Sequence, residues 1–282
     1  MVLLASNTAR MLNVGLRSGT LGTRFLFLFF LAKYLDLASF GYYGLFTATV
    51  GYALYFVGLD FYTYVTRETL KTPKALRGRL LKNQIALSGL LYLVLIPNAL
   101  VVLQRAGWPG HLVWWFLPLL LLEHFTQEEK PRLPSTLSTQ ITASLTLFMR
   151  QGSWAIVVVA WMTLDPGSRH LDTVMALWAC AGVAAAVQGI WNIKQLQMGG
   201  WRALIDWYWI KKGISVSIAF LVATLSLQGF QTLDRYWLET LGSIELVGPY
   251  TLLIGVAGTL VTFFGDRFSK KLSGNSSPRQ TI

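Results

Sequence analysis

Charge is scarce in this sequence. Asp, Glu, Lys and Arg make up 13% of its residues, about half the share found in soluble globular chains. Acid is scarcer than base: 13 Asp and Glu stand against 24 Lys and Arg, a formal net charge of +11. The single cysteine, Cys180, excludes an intrachain disulfide and a cysteine-based metal centre. The three histidines, His111, His124 and His170, are too far apart for metal-ligand spacing. No metal or cofactor is therefore expected. There is no HExxH, GxSxG, P-loop or acidic polyprenyl-phosphate motif. The loops expected on the outer side are too short to build a sugar-handling domain, so an enzyme is not expected.

Apolar sequence is what the chain has in abundance. Of 282 residues, 54% are hydrophobic, and the mean hydropathy is +0.49. That composition belongs to an integral membrane protein. The basic excess then reads as topology signal and contact with anionic membrane lipids rather than as nucleic-acid binding. The first apolar run has no credible cleavage site and reads as a retained span.

A spanning helix needs about 20 mainly apolar residues. Eight segments qualify: 11–33, 43–65, 83–104, 108–125, 141–164, 171–193, 212–233 and 245–264. The expected fold is an all-α polytopic membrane protein of about eight transmembrane helices. With the N-terminus inside, seventeen Lys and Arg residues fall on the cytoplasmic side and four, Lys33, Arg105, Arg169 and Arg235, on the outer side. This asymmetry places both termini in the cytoplasm. Trp108, Trp114, Trp115, Trp207, Trp209 and Trp237 sit near span ends, as an interfacial belt requires.

A weak internal echo joins the first and last hairpins. Lys33-Tyr34-Leu35 and Phe40-Gly41-Tyr42-Tyr43 are matched by Arg235-Tyr236-Trp237 and Val247-Gly248-Pro249-Tyr250. If it is a repeat, residues 1–194 form a first lobe of six spans and 195–265 begin a second. Residues 266–282 read as a disordered, polar cytoplasmic tail. In Thr126–Gln140, Pro131 and Pro134 should interrupt any helix.

Three arginines remain inside the apolar segments: Arg17, Arg24 and Arg150. Each costs about 2.5–3.5 kcal/mol at a bilayer centre, so they should face protein, water or headgroups. Arg17 and Arg24 are seven apart, about 10 Å along one helix face, with Ser18, Gly19, Thr20, Gly22 and Thr23 around them. Grouped guanidiniums favour a phosphate anion, and a lipid diphosphate is an anionic cargo suited to a membrane. The plainer alternatives are that Arg17 snorkels to headgroups and Arg150 pairs with a helix carbonyl. Asp60 and Glu123 lie near the expected cytoplasmic ends of the second and fourth spans. They suit either a gate or ion-coupling site, or interfacial acids that meet lysines. Asp234 and Arg235 read as a helix-end ion pair.

Phe25 to Gly44, FLFLFFLAKYLDLASFGYYG, resembles the first hairpin of Wzx-type O-antigen flippases of the multidrug/oligosaccharidyl-lipid/polysaccharide superfamily. Val57-Gly58-Leu59-Asp60 with Arg67-Glu68 is similar to the end of that family's second helix. Leu233-Asp234-Arg235-Tyr236-Trp237 and Glu245-Leu246-Val247-Gly248-Pro249-Tyr250 are similar to the start of its second lobe. The resemblance covers most of 10–264. It implies two helical lobes around a cationic cavity and outward movement of undecaprenyl-diphosphate-linked oligosaccharide across the bacterial inner membrane by alternating access. It places Arg17, Arg24 and Arg150 at the first lobe's cavity wall, and other polysaccharide-assembly membrane proteins among the partners. Against that pattern most of the second lobe is missing, and the prolines of Thr126–Gln140 are foreign. A truncated or shifted reading frame would account for both; a natural and complete chain would instead be inactive or would pair with another subunit. A multidrug exporter of the same superfamily, a membrane scaffold or remnant, and a glycan polymerase or ligase are the alternative readings.

Overall fold

A computed structural model describes residues 2–128, 144, 145 and 147–274, with side chains over 11–126, 144, 145 and 147–261. Every regular element among them is helical. The α-helices are α1 (Val2–Tyr34), α2 (Leu37–Gly58), α3 (Phe61–Lys71), α4 (Arg77–Arg105), α5 (Gly110–Glu128), α6 (Trp154–Leu164), α7 (Leu171–Gln195), α8 (Trp207–Leu241) and α9 (Ile244–Gly274). A π-helical turn, Met149–Ser153, leads into α6.

Five stretches are long and apolar enough to cross a bilayer: Met11–Tyr34, Lys74–Arg105, Leu171–Gln195, Trp207–Leu241 and Ile244–Val261. The α2–α3 pair makes a sixth if its two helices, bent by 50°, act as one span. The protein is therefore an all-helical chain with five to six candidate membrane spans among the described residues.

The expected second span, 43–65, is not one straight helix. It breaks at Leu59 and Asp60, which both adopt left-handed backbone conformations (φ 48° and 50°). Neither is glycine, so each bears a steric cost of roughly 1–2 kcal/mol. At the other end of the chain, α9 continues to Gly274, so the stretch from Asp266 expected to be disordered begins as helix. Of Thr126–Gln140, residues 126–128 close α5 and the rest, with Pro131 and Pro134, lies outside the described residues.

The main core is aromatic and aliphatic. Phe27, Phe40, Phe46, Phe116, Leu112, Val158 and Met175 bring together α1, α2, α5, α6 and α7. A smaller cluster of Phe61, Tyr64, Val65, Leu87 and Ile210 joins α3 to α4 and α8. The α7–α8 linker is tied to the start of α4: the Gly78 N–H donates to the Gly199 carbonyl at 2.8 Å. Beside it, Lys82 Nζ donates to the Ala203 carbonyl at 2.9 Å, and Arg79 pairs with Asp206 at 2.8 Å.

The hairpins α1–α2 and α8–α9 pack directly on one another, and their contact is reciprocal. A shift of 207 residues, from Leu37 to Ile244, aligns the starts of α2 and α9 and pairs Gly41 with Gly248 and Gly44 with Thr251. A Cβ on Gly41 would collide with the Ile244 carbonyl. A Cβ on Gly248 would lie 3.4 Å from the Leu37 carbonyl and 2.8 Å from the Phe40 ring. Gly44 faces its own counterpart, Thr251. This is the pattern of a two-fold interface, made by small residues that let backbones approach in lipid. The echo Phe40–Tyr43 with Val247–Tyr250 is thus in structural register. The echo Lys33–Leu35 with Arg235–Trp237 is five residues out of it.

Asp36 caps α2, its Oδ1 accepting the Ser39 N–H at 2.9 Å. That bond holds the carboxyl below its ordinary value. The cap therefore stabilises the fold above the unfolded pKa of about 3.9, and its contribution disappears as pH falls through the lower folded value. Asp36→Ala is expected to cost about 1 kcal/mol at neutral pH. Thermal melts in detergent should separate the two proteins at pH 7 and converge in acid.

Candidate functional site

A cavity of about 710 Å³ lies where the two hairpins meet α5, the π turn, α6 and α7. Arg24 of α1, Arg150 of the π turn and Glu123 of α5 all line it. Two guanidiniums against one carboxylate leave one net positive charge in the wall.

Arg150 is 2% exposed and Glu123 8%. Arg150 Nη1 lies 3.4 Å from Glu123 Oε2 and 3.4 Å from the Thr126 hydroxyl. Those are its hydrogen-bonding and ion-pair partners among the described residues, and neither is the helix carbonyl considered as the plain alternative. Glu123 Oε1 accepts the Trp178 indole N–H at 2.8 Å. Glu123 is accordingly not a surface acid meeting lysines, but one half of a buried pair. Removing one partner from such a pair leaves an uncompensated charge, at about 3–5 kcal/mol.

Arg24 is exposed, and its guanidinium reaches Gln151 Oε1 at 3.5 Å. Of the three arginines it is the cavity-lining one with no carboxylate partner among the described residues. Gln151, Gln228, Gln231, Thr47, Thr259 and Tyr43 supply neutral hydrogen-bonding groups. Trp154 and Trp178 stack with ring centres 5.7 Å apart, and Phe27 meets Trp154 edge-on at 4.9 Å. The π turn carrying Arg150 passes close to α1: a Cβ on Gly152 would lie 3.5 Å from the Thr20 Cα. Such a turn shifts the register of the following helix and commonly marks a functional position.

Arg17 and Asp60 are not among the cavity's lining residues. Arg17 is exposed, and its Nε donates to the Ser144 hydroxyl at 3.3 Å. Two helical turns separate it from Arg24, enough to carry it past the cavity. Asp60 sits in the α2–α3 break, 6% exposed. It makes no side-chain cap for α3, and its Oδ2 has no hydrogen-bond partner among the described residues. The segments bearing Asp60 and Glu123 do meet, because Gly58 abuts the His124 ring, but their carboxylates serve different surroundings. Asp234 and Arg235 are not paired with each other. Asp234 accepts from the Tyr250 hydroxyl at 3.1 Å, and Arg235 donates to the Gly44 carbonyl at 2.8 Å. Adjacent helical residues point in different directions.

Sequence reasoning missed the cavity's glutamines and tryptophans. Gln228 and Gln231, three apart on apolar α8, share one face, and the rule applied to Arg17 and Arg24 would have found them. No family model, curated protein or solved structure matches this chain.

Proposed function

We propose that the chain is a membrane transporter. It moves undecaprenyl-diphosphate-linked oligosaccharide from the cytoplasmic to the outer leaflet of a bacterial inner membrane by alternating access. The observation that carries this reading is the placement of Arg24 and Arg150 in one cavity wall, where a diphosphate can meet two guanidiniums. The glutamines, threonines and aromatic rings beside them suit the hydroxyls and flat faces of sugars. In this reading α5, and the π turn with α6, are the fourth and fifth of eight spans, and both termini are cytoplasmic. Membrane lipids and other polysaccharide-assembly proteins are its neighbours. In this reading the hairpin contact at Gly41, Gly44 and Gly248 lies on the outer side of the lining residues Thr47, Val50, Ile254 and Gly258. A diphosphate diester carries about two negative charges, so an inside-negative potential of 100 mV favours its export by up to about 4–5 kcal/mol.

The test is complementation of a flippase-null strain, scored by surface O-antigen. Restoration supports the reading. Membrane-localised chain with no surface antigen, against a range of repeat-unit structures, counts against it. One observation favours a second reading, a multidrug exporter: Glu123 and Trp178 form an acidic, aromatic corner of the same cavity. That protein would confer resistance to lipophilic cations in an efflux-deficient strain and leave O-antigen unchanged.

A further inference from the structure

We propose that Glu123 is an internal competitor for the cargo's diphosphate. It occupies Arg150, and only an anion with more charge and more acceptor oxygens than a carboxylate displaces it. The inference rests on the reading of the cavity as a diphosphate site, and it gives that site a specificity filter.

The pair has the geometry of an exchangeable contact. Glu123 reaches Arg150 through one oxygen and one nitrogen at 3.4 Å, longer than the usual 2.7–2.9 Å of charge-assisted hydrogen bonds. The same Nη1 is shared with Thr126 at 3.4 Å. A guanidinium has five N–H donors in a planar fork, and among the described residues a single shared nitrogen leaves the bidentate mode of binding unused.

Glu123 also has a second anchor. The Trp178 indole N–H holds its other oxygen at 2.8 Å, which is the shorter of the two contacts. When Arg150 turns to another anion, the carboxylate keeps that donor and remains in the wall of a polar cavity. Neither charge is stranded, which is the circumstance that makes breaking a buried pair costly.

Arg24 supplies the second hold. It contacts Gln151, the residue next to Arg150 in the π turn, so the two guanidiniums flank one stretch of wall. A diphosphate bridging them replaces one carboxylate contact on Arg150 and adds a new one on Arg24. A carboxylate competes with Glu123 on nearly equal terms and gains little, and a monophosphate, though more charged, brings one phosphate group to the two arginines where a diphosphate brings two. Discrimination thus arises from a built-in repulsive element as well as from attraction. The exchange also releases α5 from the π turn, so that binding alters how two helices are held together.

The experiment uses the detergent-purified full chain and two defined probes, radiolabelled farnesyl diphosphate and farnesyl monophosphate. Wild type is expected to favour the diphosphate by tenfold or more. Glu123→Gln should tighten binding of the monophosphate by about tenfold and of the diphosphate by about threefold, and so narrow the ratio between them. Glu123→Asp keeps both charges in place and draws the carboxylate back by one methylene. It should shift affinity and ratio in the same direction by a smaller factor, and it carries the test if the Gln variant does not fold. Wild-type binding that the soluble variants leave unchanged or weaken overturns the exchange and leaves the diphosphate site standing. Absence of diphosphate binding in wild type and variants alike overturns the site itself.

Discussion

Gly41→Ala is expected to lower the thermal midpoint of the detergent-solubilised protein by several degrees, while Gly89→Ala raises it. Both are single methyl additions to a helical glycine. In open space such a change removes backbone freedom from the unfolded chain and stabilises by about 1 kcal/mol. Gly89 has nothing within 4 Å of its would-be Cβ, so it keeps that gain. At Gly41 the methyl runs into the Ile244 carbonyl, which is backbone at the start of α9 and cannot rotate away as a side-chain tip does. The helices must separate, at about 1–3 kcal/mol for overpacking of this kind, and the reciprocal contact at Gly248 opens with them. Gly248→Ala should lower the midpoint less than Gly41→Ala, because its Cβ would press on the Phe40 side chain at 2.8 Å and reach the Leu37 carbonyl only at 3.4 Å. A Gly41→Ala protein that melts at or above wild type would show that the hairpins do not meet at these glycines.

The helical class and five to six of the eight expected spans were legible because they depend on composition and run length. Those properties are local. The hairpin contact was half legible: Phe40–Tyr43 and Val247–Tyr250 repeat in register, but Arg235–Trp237 only imitates Lys33–Leu35. Only the packing of Gly41 on Ile244 separates the true match from the imitation. The bend at Leu59 and Asp60 was not legible at all, since neither residue is the glycine that a left-handed conformation ordinarily calls for. Arg24 and Arg150 were marked by the cost of charge in an apolar run, a signal that says such a residue needs a partner without saying which. For Arg150 the partner is a glutamate on another helix, 27 positions earlier. Periodicity cannot supply that pairing, so a residue expected to face an anion or a helix carbonyl is in fact paired with a carboxylate. The same signal marked Arg17, whose partner is the Ser144 hydroxyl outside the cavity.

This redistribution of charge makes Arg24 the position where substitution should hurt transport most. Arg24→Gln is expected to reduce surface O-antigen, in a strain dependent on this chain at native expression, by about 10- to 100-fold. A hydrogen bond to a charged group is worth roughly 1.5–3 kcal/mol, and a factor of ten corresponds to about 1.4 kcal/mol. Arg24→Lys should lie between, because lysine keeps the charge but loses the planar fork that meets two phosphate oxygens at once. Stability should barely change in either variant: Arg24 is exposed, and its side-chain hydrogen bond among the described residues, to Gln151 at 3.5 Å, is at the limit of such a bond. Normal membrane levels with lost transport would therefore locate the defect in binding. Arg17→Gln supplies the internal contrast. It removes the same charge from the same helix two turns away, outside the cavity, and should leave O-antigen within about twofold of wild type. Equal losses at Arg17 and Arg24 would mean that the charge of α1 acts through membrane insertion or headgroup contact, and the diphosphate site would then have to be abandoned.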